Sequence, residues 1–510
     1  MKAHRLLIAV LAAMMLTTSC RPDRKTDDDT LVILHTNDTH SAIEPDRHDM
    51  GGIVRRKVLI DSVRALYPDA MLIDAGDAVQ GSLFFTMFGG EVERKLMNAL
   101  GYDIRILGNH EFDNGLQKLA EEWSQVEADR ISTNYDFTGT PLEGLFETSV
   151  IKEIGGHKVG FIGINLDPAG MIASKNYQGM VYRDAIGSAN AEATRLKAEG
   201  AERIIAITHI GYDEEDDTMP DDRALAAGSK DIDLIIGGHT HTVIDPATAP
   251  DSVWKITNAA GRPVYVLQTG SSGLSLGEIK FNLKSGDVSA RLIPVDARLD
   301  SRADTSFASL ITPYRDSLDS LRSFVIGNSP REFDRKSPEM LNLLSDFVLM
   351  RGEELCGKPV DIAIMNRGGI RNSLSAGPIT KGGIIDILPF DNRIVVLDIK
   401  GSDLLENLGI MAGMGGNGVS KGVSVTYDPS TYEINTATIN GNQIDPERHY
   451  RLATINYLAD GGDYMTPLTR APRLAESKGA LYEDLFSFIS SGRLDPLMAQ
   501  PDTSDRMSAF

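Results

Sequence analysis

Cysteine is nearly absent: Cys20 and Cys356 are the only two in 510 residues, so no disulfide framework can hold this chain. Long apolar runs are scarce as well. The most prominent, residues 6–16, is about half of what a membrane-spanning helix needs. Cationic side chains are also in short supply, with 51 Lys+Arg against 72 Asp+Glu and a net charge of -21. Such a surface repels a nucleic-acid polymer. A small phosphate ester stays admissible where bound cations reverse the sign locally. What is present is globular: 42% of residues are hydrophobic, which excludes wholesale disorder. The length exceeds one ordinary core and calls for two or more domains.

The amino end reads as a targeting segment, residues 1–20. Lys2 and Arg5 precede the short apolar run, which ends in Thr17-Thr18-Ser19-Cys20. This ending is similar to a bacterial lipoprotein cleavage site with Cys20 as the lipid-bearing residue, although Thr17 stands where Leu is usual. Cleavage at small residues without lipidation is the other reading. The expectation is an exported protein, periplasmic or at the cell surface, whose contact with a membrane is limited to an N-terminal lipid anchor. Residues 21–29 are polar and read as a tether. Cys356 is then left alone and reads as a small apolar residue.

From residue 30 to about 300, short β-branched runs alternate with helical segments, which predicts an α/β layered domain. Residues 305–322, within a connection spanning 301–335, carry Phe307, Leu310, Ile311, Tyr314, Leu318 and Leu321 at helical spacing. They predict a linking helix, kinked at Pro313. A second domain of mixed α and β follows over 336–495, and the residues from 498 onward are expected to fray.

The chemistry-bearing residues of the first domain fall directly after its predicted strands. Asp38 and His40 lie in HTNDTH, Asp77 in DAGDAVQGS, and Asn109 and His110 in LGNHEFD. His209 ends IIAITH, and His239 and His241 close LIIGGHTH. In open α/β sheets the carboxyl ends of strands form the ligand crevice. Carboxylate, amide and imidazole donors together suit divalent Mn, Fe, Co or Zn. Seven ligands are too many for one ion with open positions. They fit two ions sharing a bridging carboxylate, an arrangement suited to in-line hydroxide attack at phosphorus. Any one of these histidines alone would be an ordinary structural residue, and His35, His48 and His157 are read that way.

The ordered set D-x-H, G-D, G-N-H-E-x-D, an isolated His and G-G-H-x-H resembles the calcineurin-like metallophosphoesterases. Over about residues 30–495 the chain resembles the 5′-nucleotidases within that superfamily. The resemblance implies a four-layer N-terminal domain, a β-sandwich flanked by helices, then the linking helix and a C-terminal α+β substrate-binding domain. It implies one divalent metal on Asp38, His40 and His241, another on Asn109, His209 and His239, and Asp77 bridging them. His110 and Asp113 would form a catalytic dyad, the carboxylate fixing the imidazole's tautomer and favouring its cation. A cap for the following helix is the plainer reading of Asp113.

In the second domain, Asn366, Arg367 and Arg371 occupy NRGGIR after an apolar strand. Two arginines around paired glycines can grip one anion, and the resemblance makes that anion the substrate phosphate. Phe390 and Tyr457 would sandwich a nucleobase, and Asp463 would bond ribose hydroxyls. Arg335 is a further candidate phosphate ligand, and the loop 411–422 has no assigned role. The expected activity is release of phosphate from nucleoside 5′-monophosphates, with sugar nucleotides as possible further substrates. The alternatives are a 2′,3′-cyclic-nucleotide phosphodiesterase and a sugar-nucleotide pyrophosphatase. Because metals and substrate residues lie on different domains, turnover is expected to involve domain rotation.

Overall fold

The computed structural model describes residues 29–213 and 219–510. The targeting segment, Cys20 and all of the tether except Asp29 lie outside the described residues.

The β-branched runs of the amino-terminal half build two six-stranded sheets. In the first, Thr30–Thr36, Met71–Asp74, Ile104–Arg105 and Asp129–Arg130 run parallel. Ser275–Asn282 and Val288–Pro294 extend it antiparallel on the other side of Thr30–Thr36. In the second, His157–Asn165, Arg203–His209, Leu234–Ile236 and Pro263–Leu267 are parallel neighbours. Ser149–Ile154 and Lys255–Thr257 close its two edges. Alternation along each strand decides what is buried where. Ile33 and Ile73 enter the space between the sheets with Phe161, Ile205 and Ile235. Val32, Leu34 and Leu72 face the other way, onto helices Ile53–Arg64 and Glu91–Leu100. Ala185, Ala189 and Ala193 of helix Ala185–Ala198 cover the second sheet. Helix, sheet, sheet and helix thus make four layers, and the parallel strands direct their carboxyl ends to one edge.

Pro313 does not kink a continuous helix. The connection is two helices, Thr305–Ser309 and Thr312–Ser323, and Pro313 lies in the first turn of the second. Proline is tolerated there because the amide it lacks would have no helical partner. Chain pairing then resumes at Val325–Ser329, which is antiparallel to Gly377–Thr380.

The carboxyl-terminal half centres on a five-stranded sheet ordered Gly418–Val419, Ile362–Met365, His449–Ile455, Ile394–Lys400 and Arg473–Glu476. Helix Pro338–Cys356 packs on it through Leu344, Phe347 and Val348. Its ends carry the expected punctuation. Ser337 accepts from the Met340 amide at the N-cap, Pro338 opens the first turn, and Gly357 ends the helix in the left-handed region. The final residues do not fray. Met507–Ala509 joins Val423–Tyr427 as a parallel strand, and Arg506 forms a buried pair with Asp346.

Candidate metal centre and substrate cleft

The strand ends of both sheets converge. Asp38 and His40 follow Thr30–Thr36, Asp77 follows Met71–Asp74, and Asn109 and His110 follow Ile104–Arg105. The second sheet contributes His209 at the end of Arg203–His209, then His239 and His241 beyond Leu234–Ile236. Five of these residues take left-handed backbone: φ is 49° at Asp38, 45° at His40, 53° at Asp77, 82° at His239 and 55° at His241. For non-glycine residues such conformations cost on the order of 1–3 kcal/mol each and persist only where surrounding contacts enforce them. Here the turns hold one another. Asp38 N donates to Gly76 O at 2.9 Å and His40 N to Asp77 O at 3.0 Å. His110 N donates to Asp77 Oδ1 at 2.8 Å, and His239 N to Asp38 Oδ2 at 3.0 Å. Gly108 is required where the turns touch, because a Cβ there would collide with Asp77 Oδ1.

The side chains form interlocking donor groups. Asp38, His40 and His241 make one, with Asp38 Oδ1 3.4 Å from His241 Nε2 and the Nε2 atoms of His40 and His241 2.9 Å apart. Asp77, His209 and His239 make another, with Asp77 Oδ2 3.2 Å from His209 Nε2. Asp77 also lies in a third group with His40 and His110, so it adjoins both sides. Asn109 Oδ1 sits 3.2 Å from His209 Nε2 and 3.0 Å from His239 Nδ1. His209 Nδ1 donates to Ala75 O at 2.7 Å, which leaves the Nε2 lone pair facing the centre.

Lone pairs of carboxylate, amide and imidazole thus converge in a buried space, a donor set that fits divalent cations. The electrostatics agree. Burial opposes charge on both carboxylates, yet the imidazoles around them hold Asp38 below and Asp77 well below the usual range.

Glu111 was not singled out by sequence, though it sits inside NHEFD. Its buried carboxylate accepts from three backbone amides: Asp77 N at 3.1 Å, Ala78 N at 3.0 Å and Gly108 N at 2.6 Å. It therefore ties the Asp77 turn to the Asn109 turn. Nothing in its spacing distinguishes it from a solvated acid; its role arises from two loops distant in sequence.

His110 Nδ1 lies 3.0 Å from Asp113 Oδ2. Burial lowers the imidazole's proton affinity, but the Asp113 and Asp77 charges outweigh it and hold His110 above its ordinary value. The ring is 6.0 Å, centroid to centroid, from Phe390 of the carboxyl-terminal half. The two halves thus face a common cleft of about 750 Å³, lined by Asp77, Asn109 and His110 on one side and Asn366, Arg371 and Phe390 on the other. Tyr457 and Asp463 line it too. Asp463 is gripped by Asn366 Nδ2 at 2.7 Å and by the Tyr457 hydroxyl at 2.8 Å. The Arg371 guanidinium lies 6.0 Å from the Phe390 ring centroid.

Arg367 departs from expectation. Its side chain donates through Nε to Gly416 O at 3.0 Å, and it is not among the residues that line the cleft. The tight turn Arg367–Gly369 separates it from Arg371. The loop at 411–422, without a role in sequence, supplies the carbonyl and the Asn417 Oδ1 that hold Arg367 in place.

Residues 31–243 match the family model described as calcineurin-like phosphoesterase. Residues 325–470 match the model described as 5′-nucleotidase, C-terminal domain. The trifunctional nucleotide phosphoesterase protein YfkN of Bacillus subtilis is 27% identical over 90% of this chain, which spans 33% of that protein's length. Protein UshA of Yersinia enterocolitica is 29% identical, covering 92% of this chain and 93% of its own. A crystal structure of a 5′-nucleotidase precursor from Thermus thermophilus superposes with a TM-score of 0.82 at 27% identity, covering 94% of this chain and 99% of that one. The chain belongs to the family of phosphate-ester hydrolases that join a calcineurin-like phosphoesterase domain to a 5′-nucleotidase C-terminal domain.

Proposed function

We propose that this enzyme releases phosphate from nucleoside 5′-monophosphates, using two divalent cations held at the strand-end cluster. The carrying observation is that Asp77, Asn109, His239 and His241 of the donor cluster line one cleft together with Phe390, Tyr457 and Asp463. Asp38, His40 and His241 would hold one cation, Asn109, His209 and His239 the other, and Asp77 both. Activation of water and neutralisation of phosphoryl charge is the chemistry that divalent cations held there would supply. His110, whose cation Asp113 favours, would stabilise charge developing on the phosphoryl or leaving-group oxygens. Arg371 clamps the phosphate from the second domain. Phe390 and Tyr457 face the base, and Asp463, oriented by Asn366, accepts from ribose hydroxyls.

The cleft volume lies toward the upper part of the range for small-ligand sites. It supports, as a second reading, the cleavage of sugar nucleotides. Residues 1–20 support export, with Cys20 as the anchoring residue.

Metal-stripped protein, refilled with Mn or Zn, is to be offered AMP, a sugar nucleotide and a 2′,3′-cyclic nucleotide. Metal-dependent phosphate release from AMP, abolished in Asp77→Ala, is the expected result. Turnover of only the cyclic or sugar nucleotide would refute the substrate and keep the metal chemistry.

A further inference from the structure

Gln80 belongs to the same strand-end turn as Asp77 and also has left-handed backbone, with φ at 66°. It is 1% exposed. Neither Nε2 nor Oε1 of its amide has a hydrogen-bond partner among the described residues, yet Gln80 lines the cleft beside Asp77, Asn109 and His110. Burying an amide without partners is costly, and native structures satisfy nearly all such groups. Packing alone would favour Leu or Met, which fill a similar volume without stranding two polar atoms. Left-handed backbone is likewise easier for Gly, Asn or Asp. A glutamine here therefore has the attributes of a group that meets its partner when the cleft is occupied.

We propose that the Gln80 amide binds the substrate's phosphoryl group, Nε2 donating to a non-bridging oxygen. This rests on the phosphate-ester reading of the cleft. Gln80 complements Arg371, which approaches from the other domain, so the oxyanion is held from both sides. A neutral donor suits the position better than a cation would. A lysine beside Asp77 would neutralise the carboxylates and compete with the metal ions, whereas an amide supplies an N–H without net charge.

Two holoenzyme variants test this. Gln80→Met keeps the length and removes the donor; Gln80→Glu keeps the shape and opposes an anion. Metal content, melting temperature, KM, kcat and the inhibition constant of inorganic phosphate are to be measured for both. The expected result is wild-type metal content and melting temperature, with the phosphate constant raised about tenfold in Gln80→Met and further in Gln80→Glu. An unchanged phosphate constant in both variants would overturn the proposal. Reduced metal content in both would overturn it in favour of a role at the metal centre. Phosphate inhibition can be read against any ester the enzyme cleaves. A wrong nucleotide assignment therefore appears as a different preferred substrate, and a wrong assignment of Gln80 as an unmoved phosphate constant.

Discussion

A single carboxylate illustrates how a residue acquires chemistry here. Asp113 lies three residues after His110, and its Oδ2 is within 3.0 Å of the ring. Its charge raises the imidazole's proton affinity against the opposing effect of burial. If the His110 cation stabilises the transition state, activity falls as pH rises through the His110 pKa. Asp113→Asn removes the group that favours the cation, so this alkaline limb is expected to move to lower pH. kcat should fall about 10- to 100-fold at neutral pH. Profiles of kcat against pH for both proteins check this, and an unmoved limb with reduced activity would show that Asp113 does not act through the charge of His110. Glu111 and Arg367 teach the converse lesson at the same scale. One was overlooked because its partners are backbone amides of another loop. The other was overvalued because composition cannot show which way a side chain leaves a turn.

Among elements, the last strand is the clearest case of context deciding structure. Residues 500–510 are polar apart from Pro501, Met507, Ala509 and Phe510 and carry little strand signal. They are nonetheless fixed because Arg506 Nη1 lies 2.7 Å from Asp346 Oδ1, with side-chain exposures of only 6% and 5%. Lys421 N shares the same carboxylate oxygen at 2.7 Å. Removing one partner of a buried pair leaves an uncompensated charge, so Arg506→Ala should destabilise the protein by about 3–5 kcal/mol. Urea unfolding monitored at the carboxyl-terminal half is the measurement. A change below about 1 kcal/mol would mean that the strand contributes little. By contrast, the elements carrying the metal-type donors were legible beforehand. Leu31–Leu34, Ala70–Ile73, Ile204–Ile207 and Leu234–Ile236 are short apolar runs bounded by Gly or polar turns, which predicts strands, while their division between two sheets follows from pairing across the chain.

At the scale of the molecule, the donor cluster belongs to the amino-terminal half and the aromatic pair to the other, and their meeting in one cleft makes the site specific. Base stacking on an aromatic face is worth about 1–3 kcal/mol. Phe390→Ala should therefore raise KM for AMP about 5- to 150-fold and leave ribose 5-phosphate, which has no base, little changed. Phe390→Tyr should restore the difference. Equal losses on both esters would place Phe390 in the phosphate site through its contact with Arg371 rather than at a base.

The sequence by itself determined the kinds of donor, their order and their placement after strands, because local propensity and period write those directly into neighbouring residues. It also indicated a linker near 305–322, though Pro313 begins its second helix rather than bending one. Only the tertiary structure decided which groups share a centre, that Glu111 secures two of its turns, and that Arg371 rather than Arg367 faces the cleft. It also showed Gln80, which lines that cleft, with an amide that has no hydrogen-bond partner among the described residues. Those outcomes depend on contacts between residues far apart in the chain, and on the direction a side chain takes from a left-handed or tight turn. Neither is encoded in the spacing of one segment.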